Sequence, residues 1–67
     1  MEYAEHVVRE KESIFSIAKH YNTTVDTILN LNYVRYPGLI DNPYMIFYGW
    51  TLIVPIISNG GNTDYNS

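Results

Sequence analysis

Three sets of side chains in this 67-residue chain are of types that do chemistry. Glu10 and Glu12 are carboxylates two residues apart. Glycoside cleavage needs two carboxyls facing each other across a cleft, about 5–10 Å apart, one with a raised pKa. A pair on one exposed loop cannot flank a bond, so these read as solvated groups or as acceptors for a hydroxyl. His6 and His20 are imidazoles, but their spacing fits no zinc motif and the chain has no cysteine to join them. His6 is expected at a strand edge and His20 on a helix surface. Ser13 would be a nucleophile only beside a base and an oxyanion hole. As a helix cap it needs neither. No catalytic residue, metal ligand or cofactor is therefore expected.

The elements that must position these groups follow from periodicity. His6-Val7-Val8-Arg9 is a short β-prone run. Ile14, Ile17, Ala18 and Tyr21 recur at i, i+3, i+4, i+7, which predicts a half-buried helix behind a Ser13 cap. Asn22 stands where a left-handed residue commonly ends a helix. Thr24 is a second N-cap, Asp26 suits the first turn, and Val25, Ile28 and Leu29 repeat the helical spacing, fading at Asn30-Leu31-Asn32. Residues 33–47 read as a long irregular connection rich in tyrosine, proline and glycine. Gly49 turns the chain, and Thr51-Leu52-Ile53-Val54 is a strand that Pro55 ends. The order β-α-α-β predicts an α+β two-layer module, a two-stranded antiparallel sheet with two helices on one face.

Composition bounds the possibilities. The chain is too short for a large enzyme with a deep cleft. Apolar residues are 46% and charged residues 16%, which excludes disorder for the bulk of it. Net charge is −3, and Arg9, Lys11, Lys19 and Arg35 form no basic patch, so no nucleic-acid partner is expected. No run approaches the roughly 18 apolar residues of a membrane span, and the first residues have neither the basic nor the apolar region of a signal peptide. Residues 3–57 are expected to fold; residues 58–67 read as a flexible polar tail or linker.

The ordered set of residues resembles the LysM domain family over residues 6–55. His6-Val7-Val8-Arg9-Glu10-Lys11-Glu12-Ser13-Ile14-Phe15-Ser16-Ile17-Ala18 is similar to the family's opening, Tyr21 to its helix-end aromatic, and Thr24-Val25-Asp26 with Leu31-Asn32 to its second helix. Ile46-Phe47-Tyr48-Gly49-Trp50-Thr51-Leu52-Ile53-Val54-Pro55 resembles the closing signature. The sequence departs from the pattern in three places. His6 replaces a tyrosine, Lys11 stands at a glycine where positive φ is costly, and the stretch from Asn32 to Ile46 is several residues longer than usual.

The resemblance implies a βααβ fold and non-catalytic binding of N-acetylglucosamine-containing glycans, peptidoglycan or chitin-like oligomers, in a shallow groove. It implies a cell-wall-associated or extracellular setting, with the module serving to target a larger protein such as a hydrolase. The groove is carried over to the segments Lys11 to Phe15 and Asn42 to Phe47, with Lys11, Glu12, Ser13 and Ile14 on one loop and Asn42, Pro43, Tyr44, Met45, Ile46 and Phe47 on the other as the binding residues. Loop backbone can pair with the acetamide N–H and C=O, and Ile46 can cover its methyl. A ring among Tyr44, Phe47, Tyr48 and Trp50 can lie on a sugar face, Tyr44 first because of its loop position. Trp50 shares strand parity with Leu52 and Val54 and could continue the core, whereas the family's polar residue there places it on the rim. The alternative function is protein–protein assembly, as in a spore coat or a phage tail, through residues 33–40 or through Val7 and Ile53. Those two should point outward from the sheet, near Ile56 or Ile57. They would pack on a neighbouring domain, a second copy, or residues 33–41 folded back.

Overall fold

The computed structural model describes residues 2–56. Its elements are β1 (Glu2–Val7), α1 (Ile14–His20), α2 (Val25–Asn32), a 3-10 helix at Pro37–Ile40, and β2 (Thr51–Ile56). β1 and β2 pair antiparallel, with Ala4 opposite Val54 and His6 opposite Leu52. The architecture is the α+β, βααβ arrangement that the periodicity predicts. Ile57 and the expected tail at 58–67 lie outside the described residues.

Both helix starts follow from their caps. Ser13 Oγ accepts from the Ser16 amide at 3.1 Å, and the Ser13 amide donates to Ser16 Oγ at 3.0 Å. A short serine thus does the work of the usual glutamate in a capping box. Thr24 Oγ1 accepts from the Thr27 amide at 3.1 Å. At the end of α1 Asn22 takes φ 57°, and the Thr23 amide reaches back to the Ala18 carbonyl at 2.9 Å. That closes the helix in a Schellman turn. The apolar stripes then meet. Ile14, Ile17 and Ala18 from α1, Ile28 and Leu29 from α2, and Val8, Leu52 and Val54 from the sheet side form one core.

Three strand and loop details differ from expectation. β1 lies earlier than His6–Arg9, because its partner sets the register: Glu2 pairs with Ile56 and Val7 with Thr51. Pairing overrides the weak β preference of Glu and Ala. Residues 33–47 are not wholly irregular. Pro37 opens the 3-10 helix and drops Leu39 into the core with no exposed surface. On the outer sheet face Val7 is 55% exposed, whereas Ile53 is half-buried. Third, β2 runs through Pro55 to Ile56.

The outer edge of β2 explains the last point. The Thr51 amide donates to Tyr36 Oη at 2.9 Å, and the Ile53 amide donates to Asn32 Oδ1 at 2.8 Å. Alternate amides of β2 thus point away from β1, and Pro55 is next in that series. Its missing N–H costs no ladder bond. The carbonyls on the same edge are also taken: Asn32 Nδ2 donates to Ile53 at 2.9 Å and Arg35 Nη1 to Thr51 at 3.3 Å. α2 runs through Asn32, within the stretch where the helix is expected to fade, and this buried amide binds the strand edge. Side chains from residues 32–36 thus satisfy an edge that would otherwise be open to pairing.

Candidate functional site

The loop after β1 is built around Lys11 and Glu12. Lys11 takes φ 69°, the conformation expected from its position and strained for a residue with a Cβ. Lys11→Gly is expected to raise stability by about 0.5–1 kcal/mol, the relief of strain less the extra chain entropy of glycine. A urea melt showing Lys11→Gly less stable than wild type would mean that the lysine side chain makes up for its backbone.

Glu12 accepts the Arg9 amide at 2.8 Å and lies 2.9 Å from His6 Nε2. His6 Nδ1 is in turn 2.8 Å from Tyr21 Oη. A carboxylate can only accept, so His6 Nε2 donates to Glu12, with Nδ1 at hydrogen-bond distance from the tyrosine hydroxyl. His6 is thus not a strand-edge side chain. It is half-buried and ties β1 to the loop and to the end of α1, lining a half-polar depression with Arg9, Glu12, Ser16, His20 and Tyr21.

The Arg9 amide first, and His6 second, hold the Glu12 carboxyl below its ordinary value of 4.5. A depressed folded-state pKa contributes stability above the unfolded value that is lost as pH falls through the folded one. The thermal midpoint of Glu12→Gln should lie below wild type at neutral pH, and the gap should close below pH 4.5. A gap that stays constant in melts over that range would contradict a role for the ionised carboxylate.

The second loop turns at Asn42, whose carbonyl accepts the Met45 amide at 3.1 Å. Tyr44, 60% exposed, stacks on Phe15 from the first turn of α1, with centroids 5.1 Å apart and planes 26° apart. This contact brings the two loops together. Phe15 closes the first expected groove loop but is not among the rings expected from sequence to meet a sugar. Its signal was available, since a phenylalanine one step off the Ile14–Ile17–Ala18 stripe cannot face the core. Ile46 is half-buried against the core, and the backbone amides of Tyr44 and Ile46 make no hydrogen bond among the described residues.

The other expected groove residues divide. Lys11, Ser13 and Asn42 are exposed, and Pro43 is half-buried. Ser13 is committed to its cap, and Glu12 to Arg9 and His6. Ile14 is fully buried, so its side chain belongs to the core and cannot touch a ligand. Met45 and Phe47 turn away from the first loop. With Asn42 and Trp50 they join residues 35–38 around a pocket of about 310 Å³ that no residue of the first loop lines. Trp50 is half-buried, touching the core and forming a wall of this pocket. The sequence reading did not find the pocket, because residues 33–41 carry no periodic pattern.

A small βααβ sheet-and-helix module with an aromatic contact between its two end loops is the class these features define. The LysM domain family model matches residues 6–55, and the chain belongs to that family. LysM domains are in general non-catalytic modules that bind N-acetylglucosamine-containing glycans. Comparison with curated proteins and with solved structures returned no match. No helix among the described residues is long and apolar enough to cross a membrane.

Proposed function

We propose that the surface around Phe15, Tyr44 and Ile46 binds an N-acetylglucosamine oligomer, peptidoglycan or a chitin-like chain, and so holds a larger protein at a cell wall. The observation that carries this reading is the exposed Phe15–Tyr44 stack joining the two end loops of a LysM domain. The rings offer a face to the C–H side of a pyranose. The unbonded amides of Tyr44 and Ile46 can donate to an acetamide carbonyl, and Ile46 lies beside them for the methyl. Carboxylates play no catalytic part. Glu12 is occupied in holding its loop.

A surface this small should bind a single sugar weakly, because association entropy is large. Calorimetry with oligomers of increasing length should show affinity rising with length, because a longer chain covers more of the two-loop surface. Equal affinity for monosaccharide and oligomer would contradict a groove. Assembly is the second reading. It draws on Val34 and Ile40, 97% and 67% exposed on the long connection, and on Tyr3 and Val7, each 55% exposed on the outer sheet face. It predicts no response to sugars and a protein footprint on residues 33–40 or on Val7 and Ile53.

A further inference from the structure

The apolar pocket beyond the groove has its own chemistry. Tyr36 and Trp50 stack with centroids 3.9 Å apart and planes 3° apart, and the Phe47 ring lies 5.2 Å from Trp50 at a 59° tilt. Pro37 and Met45 add apolar surface. Gly38 contributes no side chain, and a Cβ there would meet nothing within 4 Å. The walls are fixed before any ligand arrives. Tyr36 is held through its hydroxyl by the Thr51 amide, and the Trp50 amide donates to the Phe47 carbonyl at 3.1 Å. A preformed wall spares a ligand the cost of ordering it.

Arg35 and Asn42 are the residues of this lining with non-aromatic polar side chains. Arg35 gives one long bond, 3.3 Å, to the Thr51 carbonyl and has no carboxylate within ion-pair distance among the described residues. No acidic residue lines the pocket. In a chain of net charge −3 it is a place that draws an anion. A sugar would leave most of its hydroxyls unpaired against such walls. We propose that the pocket is a second site, separate from the glycan groove, for a small molecule with one ring-sized apolar body and one carboxylate. The body sits against the Tyr36–Trp50 wall, and the carboxylate meets Arg35.

The test is an NMR titration of the whole chain with N-acetyl-L-tryptophan and with its carboxamide. The acid should shift Arg35, Gly38, Thr51 and the Trp50 indole, leave residues 11–15 unmoved, and bind about fivefold more tightly than the amide. Arg35→Gln should level the two affinities, and Arg35→Lys should keep most of the preference, which a merely structural arginine would not. Equal binding of acid and amide to wild type, shifts centred on residues 11–15, or no saturable shift at millimolar concentration would each overturn the proposal. The titration uses no glycan, so its failure and that of the glycan reading are separate results.

Discussion

Asn32→Leu is expected to cost about 3–5 kcal/mol, most of what holds together a domain whose total stability is about 5 kcal/mol. Asn32 has no exposed surface. Its amide donates to the Ile28 carbonyl at 2.7 Å and to the Ile53 carbonyl at 2.9 Å, and its oxygen accepts the Ile53 amide at 2.8 Å. Leucine fits the volume but leaves the Ile53 N–H and C=O buried without partners, about 1–3 kcal/mol for each. Asn32→Asp should fare no better, because a carboxylate there would face two backbone carbonyls. Urea denaturation of the variants decides it. A loss under about 1 kcal/mol would mean that water replaces the amide and the strand edge is not sealed as described.

Tyr44→Ala should lower affinity for N-acetylglucosamine oligomers about tenfold, some 1.4 kcal/mol, while the fold persists. Tyr44 is 60% exposed and its removal opens no cavity in the core. Phe15→Ala should weaken binding by a similar factor, and the double variant by less than the product, since the two rings touch and act as one surface. Thermal melts establish folding, and calorimetry gives the affinities. A folded Tyr44→Ala that binds as wild type does would move the glycan off this stack.

What could be read in advance was whatever local chemistry dictates. Ser13 and Thr24 act on amides three residues further on, Asn22 and Gly49 through their own backbone, and the structure places each where its type demands. The two apolar stripes were equally legible, because helical spacing alone decides which side is buried. What stayed hidden depends on partners distant in sequence. The start of β1 is set by pairing with Thr51–Ile56, and Pro55 is tolerated because its nitrogen belongs to the series that faces away from β1. Leu39 enters the core from a segment with no period to announce it. The two loops of the candidate site were legible as loops. Their inner division was not: Tyr44 turns toward Phe15, while Met45 and Phe47 turn toward Trp50. Neighbours one residue apart on a loop follow no parity rule.

Glycan binding at the stack is the central claim, and an NMR titration of the labelled chain with N-acetylglucosamine oligomers of increasing length tests it most directly. Saturable shifts on residues 11–15 and 42–47, strongest at Phe15, Tyr44 and Ile46 and growing with oligomer length, are the predicted result. A well-folded sample whose spectrum does not respond to any of the oligomers would contradict it and favour assembly.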